Sequence, residues 1–242
     1  MIVTPASIFS VVPAAGVGAR MGSDRPKQYM KIAGKTVIEH SVEALLSDTR
    51  IQAIAVSIAD GDPYWSDLQL NQDSRVITAA GGATRAHSVL NGLSALADVA
   101  QPHDWVLVHD AARPCLSIDA LSRLIDQVEH HHSGGILATP ARDTLKLADS
   151  EKGPLHVSAT LDRSLIWRAQ TPQMFRYGLL ERALSTGIRS GVPVTDEASA
   201  MEAASHSVLL VPGEQRNLKI TTPDDIQIAE ALLQSGGEKT VQ

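Results

Sequence analysis

The chain has 242 residues, a net charge of −6 and a hydrophobic share of 43%, which is typical of a globular protein rather than a disordered one. The negative charge gives no basic surface for a nucleic-acid backbone, and an aromatic content of 3% leaves little for base stacking. No apolar run approaches the ~18 residues that would span a bilayer. We therefore expect one domain over residues 1–242 that binds neither nucleic acid nor membrane.

A single cysteine, Cys115, allows no internal disulfide, which favours a reducing, cytoplasmic location. Along the chain, apolar segments alternate with segments of helical periodicity as far as residue 141. Strands are predicted at 7–13, 51–58, 75–80, 105–110 and 134–141. Helices are predicted at 36–46, 84–97 and 117–131. This alternation predicts an α/β fold with a mostly parallel sheet and helices on both faces.

The alternation breaks after residue 141. Two β-like stretches surround the polar turn "DSEKGP", which predicts a protruding β-arm at about 141–165. An arm without a core of its own needs a partner, so we expect a homodimer. The remaining elements are predicted as helices at 176–190, 195–203 and 222–233, and as strands at 207–212 and 216–221.

The first strand leads into a glycine-rich loop, "VVPAAGVGARMGSDRPK". Gly16 and Gly18 fit a dinucleotide fingerprint, but Met21 stands at the third glycine position, and no Gly-Lys-Ser/Thr follows. Glycines expose backbone N–H groups that bind anions, and Arg20 and Lys27 add positive charge. The loop therefore predicts a phosphate site of neither common class.

Two further segments end predicted strands at the same edge of the sheet, where ligands of open α/β folds bind. In "WVLVHDAARP", Asp110 ends the strand and is a candidate Mg²⁺ ligand beside phosphate. Alternatively, it caps a turn or pairs with Arg113. In "AAGGATRAHS", Gly81 and Gly82 could let the backbone approach a base with help from Ser88, although a glycine pair alone more often marks a turn.

Motifs from residue 13 to residue 221 together resemble the 2-C-methyl-D-erythritol 4-phosphate cytidylyltransferase family of isoprenoid biosynthesis. They are "PAAGVGARM", "PKQY", "GGATRAHSV", "VHDAARP", "RDTLK", "QTPQMF", "TDEASAME" and "NLKIT". The resemblance implies a Rossmann-like nucleotidyltransferase fold and a homodimer formed through the β-arm. It also implies CTP and methylerythritol phosphate as substrates, with Mg²⁺ or another divalent cation as cofactor.

The resemblance also implies residue roles. The cytidine-binding elements correspond to Ala14, Ala15, Gly16, Gly18, Gly81, Gly82 and Ser88. Binding of the triphosphate and stabilisation of the transition state correspond to Arg20, Lys27 and Lys219. The sugar-phosphate pocket corresponds to Asp110, which is also the metal-linked acid, and to Arg113, Thr144, Arg163 and Thr171. Arg163 lies on the arm, so it is implied to serve the neighbouring subunit. Ala83 departs from relatives that carry an acid after the glycine pair.

The implied reaction gives 4-diphosphocytidyl-2-C-methyl-D-erythritol and pyrophosphate. The sequence leaves three alternatives to this reaction. The nearest is a cytidylyltransferase for another polyol phosphate, such as ribitol phosphate. A nucleotide-binding module without turnover is disfavoured because Arg20, Lys27, Asp110 and Lys219 are all present. A nicotinamide oxidoreductase is disfavoured by the missing third glycine. The short tail after residue 235 leads us to expect no fused cyclase.

Overall fold

The structure, a computed structural model, describes residues 6–16, 25–149, 155–191 and 193–235. The strands are β1 (Ile8–Pro13), β2 (Lys31–Ile32), β3 (Lys35–Thr36), β4 (Ile51–Ile58), β5 (Val76–Ala80), β6 (Trp105–Val108), β7 (Gly134–Pro140), β8 (Lys146–Asp149), β9 (His156–Thr160), β10 (Trp167–Arg176) and β11 (Leu209–Pro212). The helices are α1 (Val37–Leu46), α2 (Arg85–Ala95), α3 (Ile118–Val128), α4 (Tyr177–Arg189), α5 (Glu197–Ala203) and α6 (Pro223–Ser235).

Seven strands form the central sheet in the order β11-β7-β10-β6-β1-β4-β5. The pairs β1–β4, β1–β6, β4–β5 and β7–β11 are parallel, and β10 runs antiparallel to both of its neighbours. All four residues of β6 are buried, as expected for an apolar strand covered on both faces. The prediction of a mostly parallel sheet is confirmed.

Helices cover both faces of this sheet. Successive residues of a strand point to opposite faces, and Val11 and Val12 of β1 accordingly belong to different apolar clusters. The cluster of Val12 includes the buried sides of α1 and α3, while the cluster of Val11 includes those of α2, α4 and α5. In the described ranges, no helix is long and apolar enough to cross a membrane.

In the second half of the chain, one prediction was wrong and one strand was missed. Residues 216–221 form no strand, because the Ile220 N–H donates to the Ala112 carbonyl (2.8 Å) in a loop rather than to a sheet neighbour. The strand β10 was not predicted at all. Its sequence, "WRAQTPQMFR", hides the strand pattern because Gln170, Thr171 and Gln173 are polar yet buried.

The predicted arm is present as an antiparallel hairpin of β8 and β9, separate from the central sheet. Every residue of these two strands is exposed in the single chain. A two-stranded hairpin without a buried face is only marginally stable by itself in water. The arm therefore lacks a covering surface within the described part of its own chain.

Candidate active site

A cavity of about 370 Å³ opens at the carboxyl edge of the sheet. The parallel strands β1 and β6 both end there, and the connection from β5 to α2 passes the same edge. This is the edge at which open α/β sheets bind ligands. The cavity is lined by Pro13, Ala14, Ala15, Gly16, Lys27, Gln28, Gly82, Ala83, Thr84, Arg85, Ser88, Asp110, Ala111, Ala112 and Lys219.

Gln28 holds the first residues of the glycine-rich loop in place. Its buried side-chain amide donates to the carbonyl oxygens of Ala14 (2.8 Å) and Gly16 (2.9 Å). The Ala14 N–H in turn donates to the Ser57 carbonyl of β4 at 2.8 Å. Gln28 stands in the motif "PKQY", but its role could not be predicted from the sequence, because a side chain that binds backbone leaves no spacing pattern.

The glycine pair after β5 packs against this loop. A Cβ atom added to Gly81 would lie 2.2 Å from the Cβ of Ala15, so only glycine fits there without a shift of the backbone. The Gly81 N–H donates to the Ile58 carbonyl at 2.6 Å. Gly82 donates its N–H to the Ser88 hydroxyl at 3.0 Å, and these two residues line the cavity, whereas Gly81 does not.

Asp110 is the centre of a cluster of positive charges. Lys219 Nζ lies 2.9 Å from its Oδ2, Arg113 Nε lies 3.5 Å from the same oxygen, and Arg85 Nε lies 3.0 Å from Oδ1. Burial by itself would raise the pKa of Asp110, but these cations outweigh it and hold the pKa well below its usual range. Asp110 is therefore ionised at any pH at which the protein works.

The loop at residues 216–221 brings Lys219 to this cluster. Two hydrogen bonds join the backbone of this loop to the turn after β6. The Ile220 N–H donates to the Ala112 carbonyl, and Arg113 Nη1 donates to the Asn217 carbonyl at 2.7 Å. Lys27 Nζ donates to the Ile220 carbonyl at 2.7 Å. Lys27 and Lys219, 192 positions apart in the sequence, therefore meet at one wall of the cavity.

His109 and Thr171 support the backbone on either side of Asp110. The Asp110 N–H donates to Thr171 Oγ1, whose hydroxyl donates to His109 Nδ1, both at 3.0 Å. His109 Nε2–H donates to the Arg113 carbonyl at 3.1 Å, and since a carbonyl only accepts, the ring proton lies on Nε2. Burial lowers the pKa of His109 to about 4, so the ring is neutral at neutral pH.

Arg85 and Glu197 are charged residues of the site that the sequence analysis did not identify. Arg85 lies between two acids, since its Nε contacts Asp110 and its two terminal nitrogens contact the Glu197 carboxylate at 2.7 and 3.0 Å. Both were quoted in motifs, "GGATRAHSV" and "TDEASAME". A charged residue at the start of a helix usually faces solvent, so the sequence carries no sign that Glu197 is buried.

Apart from Gly81, which packs against Ala15 outside the lining, the residues predicted for the site fall into four groups. Those that line the cavity are Ala14, Ala15, Gly16, Lys27, Gly82, Ser88, Asp110 and Lys219. Arg113 and Thr171 contact Asp110 from outside the lining. Thr144 and Arg163 are exposed and do not line the cavity; Arg163 Nη1 donates to the Arg142 carbonyl at 2.5 Å. Gly18 and Arg20 lie outside the described residues.

The oxygen ligands that the cavity offers suit a magnesium site completed by substrate. Among the described residues, no three His, Cys, Asp or Glu side chains are grouped so as to hold a metal ion by themselves. Asp110 is the one carboxylate in the described cavity lining. A single carboxylate suits Mg²⁺, which completes its shell with substrate phosphate and water.

A mostly parallel sheet, with a glycine-rich loop and a cation cluster around one carboxylate at its carboxyl edge, defines a Rossmann-like nucleotidyltransferase. Residues 8–235 match the family model described as IspD, 2-C-methyl-D-erythritol 4-phosphate cytidylyltransferase. The chain belongs to this family and is therefore a cytidylyltransferase.

Individual relatives agree with this family. The chain is 48% identical to the 2-C-methyl-D-erythritol 4-phosphate cytidylyltransferase of Aliivibrio fischeri (strain MJ11), over 99% of each chain. It is 52% identical to that of Pseudomonas putida (strain GB-1), over 94% of this chain and 96% of the relative. The crystal structure of the Francisella tularensis enzyme superposes with a TM-score of 0.80 at 37% identity, covering 94% of this chain and all of that one.

Proposed function

We propose that the cavity binds CTP and 2-C-methyl-D-erythritol 4-phosphate and transfers the cytidylyl group to the sugar phosphate. A phosphate oxygen of methylerythritol phosphate attacks the α-phosphorus of CTP. The bond from that phosphorus to the oxygen bridging to the β-phosphate breaks, and pyrophosphate leaves with the electron pair. The observation that carries this proposal is the convergence of Lys27 and Lys219, with the carboxylate of Asp110, on one small cavity.

The reaction requires no general base, because the attacking phosphate is already an anion at neutral pH. His109 is the nearest histidine to the cluster, but its ring is neutral and hydrogen-bonded on both nitrogens. Catalysis therefore consists of holding two polyanions in line and offsetting their repulsion. The cations that line the cavity supply that charge in a chain whose net charge is negative.

The cavity divides into parts by the chemistry of its walls. Backbone groups of Ala14, Gly16 and Gly82, with the Ser88 hydroxyl, suit the polar edge of a cytosine and its ribose. Lys27 suits the triphosphate, and the family resemblance implies the same role for Arg20, which lies outside the described residues. Lys219 suits the phosphate of the second substrate, and Arg113 adds positive charge from outside the lining through its contact with Asp110.

Asp110 is proposed to hold Mg²⁺ or another divalent cation against the triphosphate. Such an ion would neutralise charge on the phosphate oxygens and would help to orient them for displacement. Asp110→Asn keeps the size of the side chain but removes its charge, so the Mg²⁺ concentration for half-maximal rate should rise. An unchanged metal titration would count against this assignment.

The β-arm is proposed to form a homodimer and to carry Arg163 and Thr144 to the neighbouring subunit's cavity. The arm and its base expose large apolar side chains, namely Leu147, Leu155, Val157, Leu161, Leu165 and Trp167. A second chain would bury them. Because Arg163 and Thr144 do not line the cavity of their own chain, a role in catalysis requires this arrangement.

Mixing two inactive variants tests whether Arg163 acts across the dimer. In a mixed dimer of Arg163→Ala and Lys219→Ala chains, one cavity has its own Lys219 and receives Arg163 from the other chain. Activity should therefore return on mixing and exchange of subunits. A mixture as inactive as its components would show that Arg163 does not serve the partner.

The substrate assignment is tested by measuring Mg²⁺-dependent pyrophosphate release for each of the four NTPs with methylerythritol phosphate and with ribitol phosphate. Turnover is expected for CTP with methylerythritol phosphate alone. Turnover with ribitol phosphate would establish the nearest rival. Binding of CTP without turnover in any pair would instead establish a nucleotide-binding module.

We also propose that the enzyme is cytoplasmic. The buried free thiol of Cys115 is consistent with that reducing compartment.

A further inference from the structure

The Glu197 carboxylate is fully buried and forms a bidentate pair with Arg85. Oε1 accepts from Nη1 at 2.7 Å and Oε2 accepts from Nη2 at 3.0 Å. The Nε–H of the same guanidinium donates to Asp110 Oδ1 at 3.0 Å. One rigid, planar group therefore joins a buried acid outside the cavity lining to the acid that lines it.

We propose that Glu197 and Arg85 are positioning residues for the cytidylyl transfer: Glu197 fixes the guanidinium, and Arg85 fixes the orientation of the Asp110 carboxylate. This inference rests on the proposed function, because Asp110 is the group through which it acts. Glu197 itself does not line the cavity, so it touches neither substrate.

The surroundings of Glu197 are built to hold it still. It is the first residue of α5, and the preceding Asp196 caps that helix through the Ser199 N–H at 2.9 Å. Gln173 of β10 binds both neighbours of Glu197, since it donates to the Asp196 carboxylate and accepts from the Ala198 N–H, each at 2.9 Å. The start of α5 is therefore attached to the central sheet.

The charge of Glu197 also matters to Asp110. Asp110 contacts three cations, Arg85, Arg113 and Lys219, and without Glu197 they would face one carboxylate. The bidentate pair offsets part of the charge of Arg85 and aims its Nε–H at Asp110. A pair needed only for folding has no reason to extend to a residue of the cavity.

The test is the isosteric variant Glu197→Gln, assayed with CTP and methylerythritol phosphate. We expect kcat to fall on the order of tenfold or more. KM for CTP should change by less than about threefold, since no contact with substrate is removed. Tyr177→Phe is the control for lost stability, because it removes a buried hydrogen bond to the Leu93 carbonyl on the far side of α2. It should leave kcat unchanged.

A crystal structure of Glu197→Gln provides a readout besides turnover. The contact between Arg85 Nε and Asp110 Oδ1 should be lost or the Asp110 carboxylate rotated. The inference is overturned if kcat stays within about twofold of the unaltered chain, or if kcat falls while Arg85 and Asp110 keep their places.

Removing one partner of a buried pair can prevent folding, so a second variant is needed. The double variant Arg85→Leu with Glu197→Leu leaves no unpaired buried charge. It should fold and still show the loss in kcat, because Asp110 loses its Nε–H donor; normal turnover would contradict the proposal. Absence of turnover in the unaltered chain would contradict the proposed function instead, while the crystal structure would still test the positioning of Asp110.

Discussion

At the scale of single residues, the site depends on how Asp110 is compensated. An isolated ionised carboxylate buried to this degree would carry a large desolvation cost. Three nearby cations offset that cost for Asp110. Asp110 could be named from the sequence because it ends an apolar strand at the ligand-binding edge of the sheet, and Lys219 because the family resemblance implies its role. Arg85 and Glu197 could not be assigned, because their roles arise from contacts between α2 and α5 that no local spacing encodes.

Lys219→Ala tests the role of a single cation. The variant should lower kcat on the order of 10²-fold, the scale for loss of one preorganised stabilising group. The matched control is Lys35→Ala, which removes a half-exposed lysine paired with Glu43 on the surface. Steady-state kinetics on both variants give the answer, and near-normal turnover in Lys219→Ala would refute the assigned role.

His109 predicts a pH dependence of stability. Burial lowers its pKa in the folded state from 6.5 to about 4, so the unfolded chain binds the extra proton first as the pH falls. The contribution of His109 is complete above pH 6.5 and is lost progressively between pH 6.5 and about pH 4. Between about pH 7.5 and pH 5, the free energy of unfolding should fall by about 2 kcal/mol from this group.

Urea unfolding of the unaltered chain and of His109→Gln at both pH values isolates that contribution. The variant will be less stable at neutral pH, so only the change with pH is compared. A smaller decrease in the variant is expected. The same decrease in both proteins would show that another group is responsible.

At the scale of elements, the α/β alternation could be predicted as far as residue 141 because each strand there is apolar and each helix amphipathic. The later strand β10 escaped prediction because Gln170, Thr171 and Gln173 are polar yet buried, and each forms a hydrogen bond to a distant residue. Residues 216–221 have an apolar alternation like that of a strand. Their backbone is nevertheless used to bind the turn after β6.

Gly81→Ala tests how tightly the β5–α2 connection packs against the glycine-rich loop. The added methyl group would meet Ala15 Cβ at 2.2 Å and the Ile58 carbonyl oxygen at 2.7 Å. The backbone must shift, at a cost of about 1–3 kcal/mol in the free energy of unfolding. Gly16→Ala is the matched control for stability, because no atom of the described residues lies within 4 Å of the added one.

Thermal unfolding compares these two glycine variants. A lower midpoint is expected for Gly81→Ala only, together with a higher KM for CTP because the loop that meets the base is displaced. Equal unfolding midpoints for the two variants would show that the loop can shift at Ala15 without a loss of stability.

At the scale of the whole molecule, the chain is acidic overall but gathers cations at one edge of its sheet. It also projects an arm whose apolar side chains have no cover in the described part of the chain. These two features are connected in the proposed dimer, where the arm adds one more cation, Arg163, to the neighbouring cavity. Composition alone could predict neither the gathering of cations nor the exposed apolar arm, because both depend on which residues the fold brings together.

Leu165→Glu tests the arm at this scale. Leu165 is 79% exposed in the single chain, so the substitution is tolerable in a monomer but not in a buried dimer contact. Ile118→Glu is the control, since Ile118 is 61% exposed at the start of α3. Light scattering should show a dimer for the unaltered chain and the control and a smaller species for Leu165→Glu; a monomeric unaltered chain would contradict the proposed dimer.

The central claim is that the enzyme holds two anions in line for direct displacement at the α-phosphorus. The most direct measurement is the stereochemical course with the diastereomer of CTPαS that the enzyme accepts, together with methylerythritol phosphate. Phosphorus NMR of the diphosphocytidyl product should show inverted configuration at the α-phosphorus. Retained configuration would require a covalent intermediate on the protein, and that result, or the absence of any product, would contradict the account.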